Sequence, residues 1–227
     1  MLAQELTTSR LQESTITTPQ RRLLYHFTHI RNLPSILARG ALLSDAAVTT
    51  EGRLRVEVGD RSVKARRRSM VVPVGPGGVP ADYVPFYFAP RPPMLYVIHN
   101  GRVPEYQEGQ RPLVYLVTDI GTIASMGLVY VFSDGNCASA FTEYSDSLDR
   151  LDMVDWPLMN ATIWKNTAAD GDRMRRRAAE FLIHKEIPWS AFIGLATIDE
   201  DMARRVRAVL VRAGSRLPVR VRRDWYY

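Results

Sequence analysis

At 227 residues and 46% hydrophobic, with no Pro-, Gly- or Ser-rich tract dividing it, the chain has the material for one sizeable core. Apolar runs such as Leu113–Val117 are too short to span a membrane, and Met1–Gln20 lacks the basic-then-apolar pattern of a leader, so the expectation is a cytoplasmic protein without membrane association. A lone cysteine, Cys137, excludes an internal disulfide and a multi-cysteine metal centre, and His26, His29, His99 and His184 lack ligand spacing, so no metal is expected.

The formal net charge is +6, and the positive charge is arginine-rich and clustered. Clusters occur at Arg61–Arg68, at Arg173–Arg177 and as eight arginines between Arg204 and Arg223. Clustering of this kind favours a polyanion partner. The last group is spaced along an amphipathic helix and a terminal strand, and reads instead as a solvated basic face.

In chain order, residues 1–20 are polar and aperiodic, which predicts a poorly ordered arm ahead of a single domain over 21–227. Leu23–Thr28 reads as a strand; Asn32-Leu33-Pro34 opens a helix with a capping side chain, and Gly40 closes it. From Val48 to Met70 no element stands out, and Val74–Gly78 is turn chemistry. The expectation there is a long surface loop carrying the first arginine group, and long loops in compact domains are commonly functional. Ala81–Phe88 reads as a strand that Pro85, unable to donate to a ladder, assigns to a sheet edge.

A helix over Met94–His99, an apolar strand over Pro112–Thr118, an Asp119-capped helical segment and a strand over Val129–Phe132 follow. From Ser133 to Asp172 the chain is polar and dotted with aromatics, of which Phe141, Tyr144, Trp156 and Trp164 read as satellite core. A helix from Asp172 to Ala179 then leads into a strand containing Glu180, a break at Pro188, a strand over Ala191–Ala196, a helix over Asp199–Val211 and a last strand over Leu217–Val221. Six or seven strands with a few short helices define an α+β class.

Glu180 stands out chemically. Strand alternation puts Ala178 and Leu182 on its face and Ala179, Phe181 and Ile183 on the other, so a carboxylate enters an apolar sheet just after a cationic run. A buried, unpaired carboxylate is costly. Two readings follow: an arginine neutralises it in a structural ion pair, or it lines a pocket whose ligand supplies its partners.

Taken together, Tyr25-His-Phe-Thr28 with Asn32-Leu-Pro34, Tyr83–Phe88 with Pro93-Met94, and Arg177-Ala-Ala-Glu180 resemble the DarT family of toxins, which ADP-ribosylate bases of single-stranded DNA with NAD+. Val72-Pro-Val-Gly75, Val131-Phe-Ser-Asp134 and Asp155-Trp-Pro157 add to the likeness, which runs from about Tyr25 to Tyr226. The resemblance implies the ADP-ribosyltransferase fold, a split mixed β-sheet with an NAD+ cleft between its halves and short flanking helices. It gives Glu180 a catalytic role on a hydroxyl of the nicotinamide-side ribose, and it makes His26 and Thr28 a nicotinamide-binding H-x-T motif, with Phe27 contributing main-chain contacts. Ser35 and Leu43 join the cofactor site by spacing alone.

Arg67 takes the family's essential-arginine position by resemblance, with Arg66 and Arg68 adjoining it. A guanidinium cannot readily accept a proton. The expected role of Arg67 is therefore to stabilise charge on the base and on the NAD+ phosphates, and Glu180 is the better final proton acceptor. The resemblance also makes Val48–Ser69 the element covering NAD+ and Ser139–Glu180 the substrate-reading loop. Lys165, Asn166, Arg175, Arg176 and Arg177 are then candidate phosphate or base contacts, and Tyr83, Tyr87, Arg91 and Met94 candidate stacking or groove residues. The implied partners are single-stranded DNA, NAD+ as co-substrate and the macrodomain antitoxin DarG, with the chain itself expected to be a monomer. The rival readings are an ADP-ribosyltransferase acting on RNA or protein, and a single-strand-binding module without activity.

Overall fold

The structure is a computed structural model that describes residues 22–52 and 54–227; the expected N-terminal arm lies outside the described residues. β1 (Leu23–His29) pairs antiparallel along its whole length with β4 (Leu113–Asp119), from Leu23 opposite Asp119 to His29 opposite Leu113. β9 (Gly194–Thr197) adds antiparallel to β4, and β10 (Val219–Val221), reached through helix α8 (Glu200–Arg212), adds parallel to β9. On the other side of β1 lie β3 (Tyr83–Tyr87), β7 (Glu180–His184), β5 (Tyr130–Ser133) and β6 (Tyr144–Ser145). Among the described residues the main sheet thus has eight strands in the order β10-β9-β4-β1-β3-β7-β5-β6, and β2 (Ala41–Leu43) pairs separately with β8 (Glu186–Pro188).

The two halves of the sheet barely join. β1 and β3 share one register pair, Tyr25 opposite Tyr87. β3 and β7, by contrast, pair from Tyr83 opposite His184 to Tyr87 opposite Glu180. β3 is therefore an interior strand, and the edge position expected from Pro85 is corrected. In an antiparallel ladder a residue's N–H and C=O point to the same neighbour. The Pro85 carbonyl points to β1, where it accepts a hydrogen bond from His26 Nδ1 at 2.8 Å, so its missing N–H falls at the split, where no ladder needs it.

Strand alternation divides the core by face. Leu24, Leu116, Val84, Phe86, Phe181 and Ile183 pack on one face, joined by Met202, Val206 and Leu210 of α8. Tyr25, Phe27 and Tyr115 pack on the other, under Leu95 and Ile98 of α4 (Pro93–His99) and against Trp225 and Tyr226. A smaller cluster of Val72, Tyr83, Val131, Cys137 and Leu182 backs the second half of the sheet.

Helix α1 (Leu33–Arg39) carries Pro34 in its first turn and is capped at its end by Gly40, whose φ of 71° suits a residue without a side chain. Asn32 stands at its N-cap position but makes no side-chain cap bond. The expected loop over 48–70 contains two helices, α2 (Asp45–Glu51), capped by Ser44, and α3 (Arg61–Arg67), capped by Asp60. Neither buries a residue, so neither has the apolar stripe that periodicity detects. α5 (Ile120–Ser125) is capped by Asp119 as expected, α6 (Trp156–Met159) follows, and the helix predicted over 172–179 shortens to α7 (Arg173–Arg176). A 3-10 turn over Trp189–Ala191 delays the following strand to Gly194. The strands beyond the predicted number are β2, β6 and β8, each too short for an alternation to show.

Candidate active site

The split between β1 and β3 opens into a cleft of about 390 Å3. β1 lines it with His26, Phe27 and Thr28, α1 with Ser35, β2 with Leu43, α3 with Arg67 and β7 with Glu180, so the residues expected to hold the cofactor and act on it meet in one cavity. Tyr87 and Met94, expected on the DNA side, line the same cleft; the Tyr87 hydroxyl lies 3.7 Å from Met94 Sδ and its ring stacks on Phe27 with a 14° interplanar angle.

An arginine neutralises Glu180, and the carboxylate also lines the cleft. Its side chain is 4% exposed, and Arg67 Nη1 donates to Oε1 at 2.8 Å and to Oε2 at 2.7 Å. The Cys137 N–H adds a bond to Oε1 at 3.3 Å, and the Glu180 N–H donates to the buried Ser133 Oγ at 3.1 Å, which fixes the start of β7 against the end of β5. The carboxylate is buried and neutralised by a guanidinium that is itself 14% exposed, and both form part of the cleft wall. Burial works against the Arg67 charge, but the adjacent carboxylate outweighs it and raises the guanidinium pKa. Arg67 Nη2 is buried with no partner, a donor left over at the cleft. Of the three adjoining arginines only Arg67 reaches Glu180; Arg66 is exposed, and Arg68 bonds Asp45 at 2.6 Å. Burial also pushes the neighbouring Cys137 thiol up to about 12, so it is no thiolate nucleophile.

His26 is held neutral. Burial lowers its pKa to about 4 against the smaller opposing effect of the Pro85 carbonyl. That carbonyl can only accept, so Nδ1 carries the proton and Nε2 is left as the ring's acceptor. Asn32, read from sequence only as a helix cap, does more. Its Nδ2 donates to Thr28 Oγ1 at 3.1 Å and to the Val56 carbonyl at 2.9 Å, and its Oδ1 accepts from the N–H groups of Arg55 and Val56. One buried amide thus ties the H-x-T strand to the segment ahead of α3. Its four bonds are all long-range or off the helix, which is why a cap pattern does not reveal them.

The other residues expected to touch DNA separate into four groups. Tyr83 is fully buried, with its hydroxyl donating to the Gly77 carbonyl at 2.6 Å, and has no face to offer a base. Arg175 forms ion pairs at 2.8 Å with both Asp134 and Asp172, and it packs so close to Gly135 that a Cβ there would lie 2.3 Å from its Nη1. Arg176 is likewise bound, to Asp170 at 2.5 Å and Asp155 at 3.5 Å. These two arginines tie the long loop to the end of β5 and to α7. Lys165 and Asn166 are exposed on that loop, the Lys165 carbonyl accepting from Arg173 Nε and Asn166 Oδ1 from the Met174 N–H. Arg91 and Arg177 lie together in a second, smaller cavity.

Trp164, Trp156 and Tyr144 pack against the core as expected, whereas Phe141 is 84% exposed on the loop, a correction to its reading as satellite core. Among the described residues no group of His, Cys, Asp or Glu side chains is placed to hold a metal ion, and no helix is long and apolar enough to cross a membrane.

A split mixed sheet with an H-x-T strand on one lip and a buried glutamate on the other defines the ADP-ribosyltransferase fold. The DarT family profile, described as ssDNA thymidine ADP-ribosyltransferase, matches residues 25–227, and the chain belongs to that family. It is 36% identical over 211 residues to a DNA ADP-ribosyl transferase of Thermus aquaticus, covering 92% of this chain and 90% of the relative. The solved structure of Thermus sp. 2.9 DarT in complex with ADP-ribosylated ssDNA superposes with a TM-score of 0.86 at 34% identity, covering 92% of this chain and 98% of that one, and the same protein in complex with NAD+ superposes at 0.81. A DNA ADP-ribosyl transferase-DNA ADP-ribosyl glycohydrolase fusion protein of Thermosipho africanus is 30% identical over 125 residues, 55% of this chain and 30% of the fusion.

Proposed function

We propose that this chain transfers ADP-ribose from NAD+ to a thymidine base of single-stranded DNA, with Glu180 and Arg67 as the acting pair. The observation that carries the reading is the two-oxygen contact between Arg67 and Glu180 in the wall of the cleft, with Arg67 Nη2 buried and unmatched. NAD+ dependence and DNA as acceptor are properties of the family to which the chain belongs.

Breaking the bond between ribose C1′ and the nicotinamide nitrogen sends the electron pair to the nicotinamide, which leaves neutral, and builds positive charge on the ribose. Glu180 accepts a hydrogen bond from a ribose hydroxyl and stabilises that charge, a contribution of about 10²- to 10³-fold in rate for one preplaced group. Thymine N3 attacks C1′, and its proton passes to Glu180. Arg67, whose charge the same carboxylate holds in place, stabilises the negative charge that develops on the base. His26, neutral with Nε2 as acceptor, receives a ribose hydroxyl, and the Phe27–Tyr87 pair with Met94 forms the apolar wall against which the nicotinamide ring lies.

Single strands are required because N3–H is the donor of an A·T pair. The partner reading extends to a macrodomain antitoxin of the DarG kind, supported by the family resemblance and by the Thermosipho fusion that joins a transferase to a glycohydrolase in one chain. A cytoplasmic location, where cellular DNA and NAD+ meet, and a monomeric chain complete the proposal. Incubating the protein with labelled NAD+ and equal masses of single-stranded DNA, RNA and a carrier protein tests it. Label on DNA alone is expected; label on RNA or protein favours the acceptor alternatives, and NAD+ left intact beside bound DNA favours a binding module.

A further inference from the structure

Next to the NAD+ cleft lies a second cavity of about 250 Å3, whose walls include Arg91, Arg177, Asn160, Thr162 and Trp164. Arg177 is 3% exposed. Its Nη2 donates to the Pro90 carbonyl at 2.6 Å, but its Nε and Nη1 are buried with no partner, and so is Nε of Arg91. Among the described residues no carboxylate pairs with either guanidinium, although the preceding Arg175 and Arg176 are each matched to aspartates. A buried cation without a counter-charge is costly, so Arg177, with the half-buried Arg91 beside it in the wall of the same cavity, points to an anion that completes the site.

The cavity is also built. Arg91 is held at φ 57°, a conformation that side-chain-bearing residues rarely take. Its carbonyl accepts from the Tyr227 hydroxyl at 2.7 Å, its N–H donates to the Tyr115 hydroxyl at 3.3 Å, and its guanidinium lies 4.4 Å from the centre of the Tyr227 ring. The Trp164 indole N–H donates to the same Tyr227 hydroxyl at 3.2 Å, which fixes the long loop against Arg91. Arg91 is thus presented to the cavity by a scaffold and not left on a mobile surface.

We infer that this cavity seats one phosphodiester of the acceptor DNA strand, with Arg91 and Arg177 as its donors. The inference rests on the transferase reading above. Arginine N–H groups match the spread oxygens of a phosphate better than those of any neutral group. Arg177 is followed directly by Ala178, which lines the NAD+ cleft together with Glu180, so the seated phosphate lies close to the target base along the strand. The seat fixes the register of the strand relative to the ribose carbon. The NAD+ pyrophosphate shares the chemistry but belongs to the other cavity.

The test uses the full chain and a single-stranded oligonucleotide with one thymidine, in which each phosphodiester is replaced in turn by an uncharged methylphosphonate. One linkage near the thymidine is expected to raise the KM for DNA roughly ten- to a hundredfold when neutralised, with the KM for NAD+ unchanged. In Arg91→Gln and Arg177→Gln that same linkage should cost less than in the wild type, because one of its two donors is already gone. If Arg177→Gln does not fold, Arg91→Gln and the scan of the wild-type protein still decide. Uniform sensitivity along the strand, undiminished sensitivity in the variants, or a rise in the KM for NAD+ in place of that for DNA each overturns the seat. Wild-type protein that labels DNA with no sensitive linkage overturns the seat alone, whereas wild-type protein that labels no oligonucleotide overturns the transferase reading and the seat with it.

Discussion

One nitrogen of Arg67 holds both carboxylate oxygens of Glu180, at 2.8 and 2.7 Å, while the other terminal nitrogen of the same guanidinium is buried with no partner. A residue of α3 and a residue of β7 are thereby locked together across the site, and a substrate that engages Glu180 must share the carboxylate with Arg67. This makes the two side chains one electrostatic unit, and their variants should be read as such.

Glu180→Gln keeps the shape and can still hydrogen-bond, but loses the charge. Transfer should fall by about 10²- to 10³-fold with NAD+ binding largely kept. Both variants leave Arg67 without its counter-charge, and Glu180→Ala, which also removes the hydrogen-bond acceptor, should be the less stable of the two by about 1–3 kcal/mol. Transfer rates and thermal unfolding of the two variants, measured side by side, separate chemistry from ion-pair support; equal losses of stability would mean that Arg67 finds another partner.

Arg67→Lys tests whether charge alone suffices. Lysine keeps the cation but cannot bond both carboxylate oxygens from one arm of a planar group while keeping another arm free. The expectation is a folded protein with depressed kcat and nearly normal DNA affinity, and Arg67→Ala should depress kcat further. Steady-state kinetics at varied DNA concentration check this; a change in DNA KM with kcat preserved would place Arg67 in binding and not in reaction.

Arg175→Ala should lower stability by about 1–3 kcal/mol, because it strands Asp134 and releases the loop from the end of β5. Its DNA-binding salt dependence should change little, whereas a lost phosphate contact would reduce the log–log slope by about 0.7. Urea unfolding and a salt titration of DNA binding are the two readouts. A flattened slope with unchanged stability would restore Arg175 to the DNA surface.

The pH dependence follows from His26. Its folded pKa of about 4 lies below the ordinary 6.5, so the unfolded chain binds the extra proton first as pH falls. Stability from this group is complete above about pH 6.5 and is lost progressively as pH drops toward 4. The ring edge remains partly open to the cleft, so the loss should be about 1–3 kcal/mol. Urea unfolding of wild type and His26→Gln at pH 7 and pH 4.5 checks the sign: the gap between them should narrow at the lower pH, and a gap that widens would mean that a charged imidazole is the native form.

Much of this site was legible in the sequence because its chemistry is local. Tyr25–Thr28 alternates like a strand, and Glu180 is conspicuous as the one charge among apolar strand residues. What stayed hidden depends on distant partners. Pro85 reads as an edge residue because the hydrogen bond from His26 to its carbonyl joins positions 59 apart in the chain. Arg175 and Arg177 look alike in sequence, and only the placement of Asp134 and Asp172 gives one of them carboxylate partners that the other lacks. α2 and α3 escaped notice because exposed helices carry no apolar stripe.

The most direct measurement uses an oligonucleotide containing a single thymidine, incubated with NAD+ and the protein and weighed by mass spectrometry. The mass should rise by one ADP-ribose, and the gain should disappear when the complement is annealed or when the thymine carries a methyl group on N3. An equal gain on the N3-methylated oligonucleotide, or on the duplex, would contradict attack by thymine N3 in the Arg67–Glu180 cleft.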